Sequence, residues 1–310
     1  MKEYDVIILG AGPAGLSAGI YLSRAKQSVL ILDQGMVGGQ VVLTHAVANY
    51  PGVSELSGYK LASEMKKQAI EFGCEVKAND KLLSFNFKGK EKTVSSKSGE
   101  YKSSAVIIAV GGQPRRLGLE SEKKFQGQGI SYCATCDGDF FTGEDIVVVG
   151  GGNSALEEAV SLTKFAKTVT IIHQFDHFQG YAHAIKAAEE NPKIKFMMES
   201  EIAEFTGEES LSGVNVRSIK TGNISKLSVT GAFIFIGYVP GTEPFKNCVS
   251  LSDRKEIVTN EDMATSQDGV FAAGDVRQKK FRQITTAVSD GTVAALAVMD
   301  YLNGPDPDKI

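Results

Sequence analysis

Short apolar runs that stop at glycine recur along the chain, and a helical period follows each of the two longest. Tyr4 to Leu9 (YDVIIL) ends at Gly10, after which Leu16, Ile20 and Leu22 mark a helix, and a second run, Val29 to Leu32, ends at Asp33. The pattern predicts strand, glycine turn, helix, strand. It returns at Asp145 to Val149 (DIVVV), followed by Gly150-Gly151-Gly152, a helical stretch Leu156 to Phe165 and a strand Thr168 to Ile172. Two further runs deliver glycine at their ends: Ala105 to Val110 before Gly111-Gly112, and Gly269 to Ala273 before Gly274-Asp275. Thr285 to Leu302 reads as a helix that Gly304-Pro305 ends. Lys88 to Tyr101 is polar and reads as a surface hairpin, and Glu204 to Ser228 reads as hairpin strands.

Two copies of one pattern, 140 residues apart from Gly10 to Gly150, exceed a single βαβ unit. The fold class expected is α/β, with two nested dinucleotide-binding (Rossmann-like, three-layer) domains. The C-terminal helix is too apolar to stand alone and is expected to pack back on the first domain. That makes the first domain discontinuous, residues 1–115 plus 244–310, with 116–243 inserted.

Composition narrows the class. With 310 residues, a net charge of −4 and only short basic clusters such as Lys279-Lys280, the chain offers no bulk attraction to nucleic acid or anionic membrane. No apolar run approaches a membrane span and no signal sequence precedes the first strand, so a cytoplasmic location is expected. Four cysteines are too few for a disulfide scaffold. Cys74 and Cys248 read as small buried hydrophobes, leaving Cys133-Ala134-Thr135-Cys136.

The first repeat carries a dinucleotide fingerprint, Gly10-Ala11-Gly12-Pro13-Ala14-Gly15. Gly10 permits the turn, Gly12 lets backbone approach a pyrophosphate, Gly15 allows helix to pack on strand, and Asp33, 18 residues on, is placed to accept from a ribose hydroxyl. A CxxC in such a chain serves zinc or redox chemistry, or is coincidence. Zinc needs four ligands, and neither a second CxxC nor a nearby His pair accompanies this one, so no metal site is expected. For redox work the two-residue gap lets the sulfurs meet.

The segment Ser131-Tyr132-Cys133-Ala134-Thr135-Cys136-Asp137-Gly138-Asp139-Phe140-Phe141 closely resembles the active-site segment of the low-molecular-weight thioredoxin reductases. The likeness extends over GAGPAG at 10–15, GGQ at 38–40, NYPG at 49–52, GGGNSALEEA at 150–159, and AAGDVR through RQITTAVSDG at 272–291. It implies a homodimeric flavoprotein with FAD in the discontinuous domain and the CxxC in the inserted one. By position it implies that Cys136 faces the flavin, Cys133 attacks the disulfide of a thioredoxin-like protein, and Asp137 serves as acid/base. The implied FAD contacts are Gly10, Gly12, Ala14 and Gly15 at the pyrophosphate, Asp33 and Gln34 near the adenosine ribose, and Gly39, Gln40 and Asn49 toward the isoalloxazine. Gly111, Gly274, Asp275, Gln283 and Ile284 complete the set, with Asp275 and Gln283 on ribityl and flavin.

The resemblance fails at one place. Relatives that use NADPH carry HRRxxFRA after the second strand of the inserted domain, where this chain reads His173-Gln174-Phe175-Asp176-His177-Phe178-Gln179-Gly180. Glutamine and phenylalanine cannot replace guanidinium on a 2′-phosphate, which argues against NADPH. An NADH site would close the strand with an acid, and His173 stands there instead. Ferredoxin, which serves some relatives, is the other candidate donor, with Arg115-Arg116, Lys123-Lys124 and Lys279-Lys280 as candidate basic patches. The competing readings are a dithiol oxidase using O2 and a non-catalytic redox sensor.

Overall fold

The computed structural model describes residues 1–43, 47, 49–54 and 56–304. The chain divides into two compact units, residues 1–113 with 239–310, and 114–238. The crossings fall two and five residues before the expected ones, for a local reason. Arg115 N–H is already bonded to Gly237 O in the second unit (2.9 Å), and Gly241 N–H to Gly111 O in the first (2.9 Å).

In the first unit the parallel strands run Glu75–Lys77, Val29–Leu32, Lys2–Leu9, Gly99–Ile108. The far edge of Gly99–Ile108 is shared: its first half pairs antiparallel with Lys92–Ser96, its second half parallel with Val270–Ala272. Val6 and Ile8 face one side, against Leu16, Leu22 and Val298 of the helices Pro13–Arg24 and Ile284–Asn303. Ile7 and Leu9 face the other, against Phe87 and Phe245. A strand covered on both faces has to be apolar, as Val6 to Leu9 is.

The polar stretch Lys88 to Tyr101 does form a hairpin, Lys92–Ser96 pairing antiparallel with the start of Gly99–Ile108, but not a surface one. Lys92, Val94, Ser96 and Tyr101 are buried, and the segment contributes one strand and the start of another. Only the second half of Gly99–Ile108 is continuously apolar, so the pattern divides one strand between two readings.

The second unit has a wholly parallel sheet in the order Ile194–Met197, Thr168–Ile172, Asp145–Val149, Gly231–Ile234, Ile130–Ser131. Ile146 and Val148 pack against Leu156 and Leu162 of the helix Asn153–Leu162. Val147 and Val149 pack against Phe205 and Val214 of a three-stranded antiparallel sheet, Ser200–Gly207, Leu211–Ser218 and Ile224–Leu227. Both units are layered α/β dinucleotide-binding folds. Among the described residues no helix is long and apolar enough to cross a membrane. Cys74 is buried as expected, whereas Cys248 is half-buried.

Candidate active site and cofactor cradles

In parallel sheets the functional loops gather at the carboxyl ends of the strands. In the first unit the glycines there have three separate physical roles. Gly10 has φ +110°, and a Cβ on it would meet Ala109 O at 2.3 Å; one on Gly15 would lie 1.9 Å from Gly10 O. Gly12 differs from both. It caps the helix Pro13–Arg24, and a Cβ there would meet nothing within 4 Å. The open space lies at a helix N-terminus, whose unpaired N–H groups and dipole favour an anion.

Several of the remaining candidates converge on this turn. Gly38 N–H bonds Ala11 O at 2.8 Å, and a Cβ on Gly39 would sit 3.4 Å from Gly12 Cα. A Cβ on Gly274 would lie 2.8 Å from that of Ala14, and one on Gly291 only 2.1 Å from Ala14 O, which sets how closely the two long helices cross. Asp33 is more committed than its sequence position suggests: its carboxylate accepts from Ala11 N–H (2.6 Å) and Gly35 N–H (2.7 Å), pinning the turn. A carboxylate has about four acceptor sites, so this leaves capacity for a hydroxyl. Gln34, next in the chain, and Gln40 are exposed. Gly111, at φ +62°, also faces open space. Gln283 and Thr286 form a reciprocal capping box at the start of Ile284–Asn303, with Ile284 as its first residue. Asn49 is exposed on the segment closed by the pairing of Val47 with Leu56. The surroundings of Gly12 fit the phosphates and a ribose of a dinucleotide such as FAD: glycines without a Cβ at the approach, a helix N-terminus, and a carboxylate at the flank.

Behind Gly274 stands a network that sequence reasoning missed. Asp290 accepts from Gly274 N–H (3.1 Å), Lys279 Nζ (2.8 Å) and Arg277 Nη1 (3.2 Å), and Lys279 also pairs with Asp275 at 3.6 Å. Burial pushes the Asp275 carboxyl above the usual range, against the pull of Lys279 and Arg282. Lys279 is only 9% exposed, so the Lys279-Lys280 pair is not the surface patch its sequence suggests. Lys123 is likewise paired, with Glu120 at 2.6 Å.

The CxxC leaves the carboxyl end of Ile130–Ser131, the same end of the second sheet as the turn at Gly150. Cys133 and Cys136 form a disulfide with a Cα–Cα distance of 5.3 Å. Cys133 also caps the short helix Ala134–Asp137, its Sγ accepting from Cys136 N–H at 3.2 Å, a contact that favours a thiolate. Asp137 is drawn to the pair through Ser131, whose hydroxyl donates to Asp137 Oδ2 (2.5 Å) and accepts from Cys133 N–H (3.0 Å). One residue before Cys133, the Tyr132 hydroxyl donates to buried Glu122 at 2.7 Å, and that carboxylate also accepts from Leu117 and Gly118 N–H. Burial, then the Glu122 bond, hold the Tyr132 phenol well above its usual pKa. Sequence gave Glu122 no distinction from the solvated charges around it.

The second glycine turn repeats the first in outline. Gly150 has φ +134° and would clash with Phe235 O at 2.4 Å, while Gly152 faces open space at the start of Asn153–Leu162. The His173 ring packs onto Gly151, 2.5 Å from where a Cβ would be, and stacks on Phe178; burial holds its pKa below the usual value. The following loop folds back on the turn, with Gln179 N–H bonded to Gly151 O (2.8 Å) and Tyr181 N–H to Asn153 Oδ1 (2.5 Å). Gln174, Phe175, Asp176, His177 and Gln179 are all exposed there, and Asp176 pairs with His177 at 2.7 Å. No arginine occurs between Arg116 and Arg217. Among the described residues no group of His, Cys, Asp and Glu is placed to hold a metal ion.

Residues 4–291 match the pyridine nucleotide-disulphide oxidoreductase family. A Clostridium pasteurianum protein described as a 34.2 kDa protein in the rubredoxin operon is 43% identical over 303 residues, 98% of each chain. Thioredoxin reductase of Bacillus subtilis is 43% identical over 303 residues, covering 97% of this chain and 95% of that one. The crystal structure of thioredoxin reductase from Streptococcus pyogenes superposes with a TM-score of 0.93 at 40% identity, covering 97% and 98%. With its two layered dinucleotide folds and its CxxC disulfide, the chain belongs to the pyridine nucleotide-disulphide oxidoreductase family and, within it, to the flavin-dependent disulfide oxidoreductases of the low-molecular-weight thioredoxin reductase type.

Proposed function

We propose that this chain is a thioredoxin-disulfide reductase whose electron donor is not NADPH, with ferredoxin the favoured donor and NADH second. The observation that carries the disulfide chemistry is the Cys133–Cys136 bond on a helix start, with Asp137 linked through Ser131 to the backbone of Cys133. FAD would be held around Gly10, Gly12, Gly15, Gly39, Gly274 and Asp275 and, when bound, would supply the two electrons that open that bond. The Cys133 thiolate, favoured by Cys136 N–H, attacks one sulfur of the partner's disulfide. A Cys133–partner bond forms, the partner's own S–S bond breaks, and Asp137 protonates the sulfur that leaves. Cys136 then displaces the second sulfur, restoring the Cys133–Cys136 disulfide and releasing a dithiol.

What supports the donor assignment is the surface at Gln174–Gln179, which offers amides, an aromatic ring, a carboxylate and the imidazole paired with it where a 2′-phosphate requires guanidinium. The disulfide chemistry is tested by anaerobically mixing chemically reduced, FAD-loaded protein with oxidised thioredoxin. Up to two dithiols per flavin are expected, one from the reduced flavin and one from the reduced Cys133–Cys136 pair. Absence of thiol would overturn the reading.

A further inference from the structure

We propose that Ser131 is a positioning residue that keeps Asp137 hydrogen-bonded in both of its protonation states; this rests on the disulfide-reductase reading above. Ser131 is buried at the end of a sheet strand, its backbone register fixed opposite Phe233. Its Oγ donates to Asp137 Oδ2 at 2.5 Å, accepts from Cys133 N–H at 3.0 Å, and lies 3.3 Å from Cys133 O.

A hydroxyl has one hydrogen and two lone pairs, so the hydrogen can serve only one of those two acceptors at a time. With Asp137 ionised it goes to the carboxylate, because the charge-assisted bond is the stronger. With Asp137 protonated, the acid O–H donates to one lone pair of Ser131 Oγ, and Cys133 N–H keeps the other. The serine hydrogen then turns to Cys133 O, already within reach. Every hydrogen of the triangle has an acceptor in both states, and the change between them is one hydroxyl rotation. Asp137 can therefore release its proton to a leaving thiolate and regain it without losing its link to the Cys133 backbone.

The test uses two disulfides that differ in their need for a proton. The thiolate leaving a protein disulfide is basic and benefits from protonation. That leaving 5,5′-dithiobis(2-nitrobenzoate) is stable without it. Photoreduced, FAD-loaded protein is mixed anaerobically with each, and flavin reoxidation is followed. Ser131→Ala should slow oxidised thioredoxin about tenfold, a part of the ~10²–10⁴ that general acid catalysis contributes, and change the aromatic disulfide by less than about twofold. Ser131→Thr, which keeps the hydroxyl, should restore the thioredoxin rate, and Ser131→Ala should cost nothing further in an Asp137→Asn background. Equal slowing on both disulfides, no slowing on either, or additive losses in the double variant would overturn the proposal. Failure of the unsubstituted protein on oxidised thioredoxin would instead remove the underlying reading, and this inference with it.

Discussion

Around Gly10 and Gly12 a glycine turn is tied to an acid at the next strand end, faces a second glycine loop at Gly39 and is backed by Gly274 and Asp275. Around Gly150 and Gly152 a turn of the same outline meets the buried ring of His173 and the exposed loop Gln174–Gln179. Both turns keep open space at the helix start, and both need glycine where a Cβ would strike backbone. A glycine turn is therefore a requirement of strand-to-helix packing first, and becomes a nucleotide site only through its surroundings. The first turn has an acid, a second glycine loop and Gly274 around it, whereas the loop beside the second, Gln174–Gln179, carries no arginine.

The sharpest way to break this comparison is to fill both turns. Gly12→Val puts a side chain into the open space of the first turn and should abolish FAD retention, seen as colourless purified protein. Gly152→Ala enters open space in the second turn and should leave flavin content and melting temperature unchanged. Loss of flavin in the second variant would show that the second turn does more than pack.

Next in size is the effect at the cysteines, which carry the chemistry of the inserted unit if its nucleotide site does not. Cys133→Ser should abolish disulfide reduction while leaving a Cys136 thiolate that gives a long-wavelength flavin absorbance band. The band appearing in Cys136→Ser instead would reverse the two roles.

The smallest effect expected is at His173. Its folded-state pKa lies below its ordinary value of 6.5, so the folded protein prefers the neutral ring. The sign follows from linkage: the unfolded chain binds the extra proton, so this contribution is complete above the unfolded pKa and is lost as pH falls through the folded one. Thermal stability should drop on the acid side of neutrality, and His173→Phe should flatten that drop. An unchanged slope would mean that the ring is not the group titrating.

The sequence disclosed what local pattern encodes: strand ends at glycine, both turns, the CxxC and the missing arginines. What stayed hidden depends on long-range burial. Glu122 and Lys279 look like surface charges until the fold encloses them with Tyr132 and Asp290. Asp33 was legible as an acid at a strand end, but its bond to Ala11 needed the strands in register. The strand Gly99–Ile108 was divided because two different neighbours share its edge, which no periodicity within the segment records.

The contrast between the two turns is tested most directly by the donor. A guanidinium–phosphate bond is worth about 1.5–3 kcal/mol, so lacking two or three of them weakens NADPH binding by several powers of ten. Oxidised, FAD-loaded protein mixed anaerobically with micromolar NADPH should keep its flavin absorbance over minutes, NADH should do little better, and reduced ferredoxin should bleach it rapidly. Rapid stoichiometric bleaching by NADPH would contradict the account, because the loop Gln174–Gln179 would then hold the nucleotide by means other than those its residues supply.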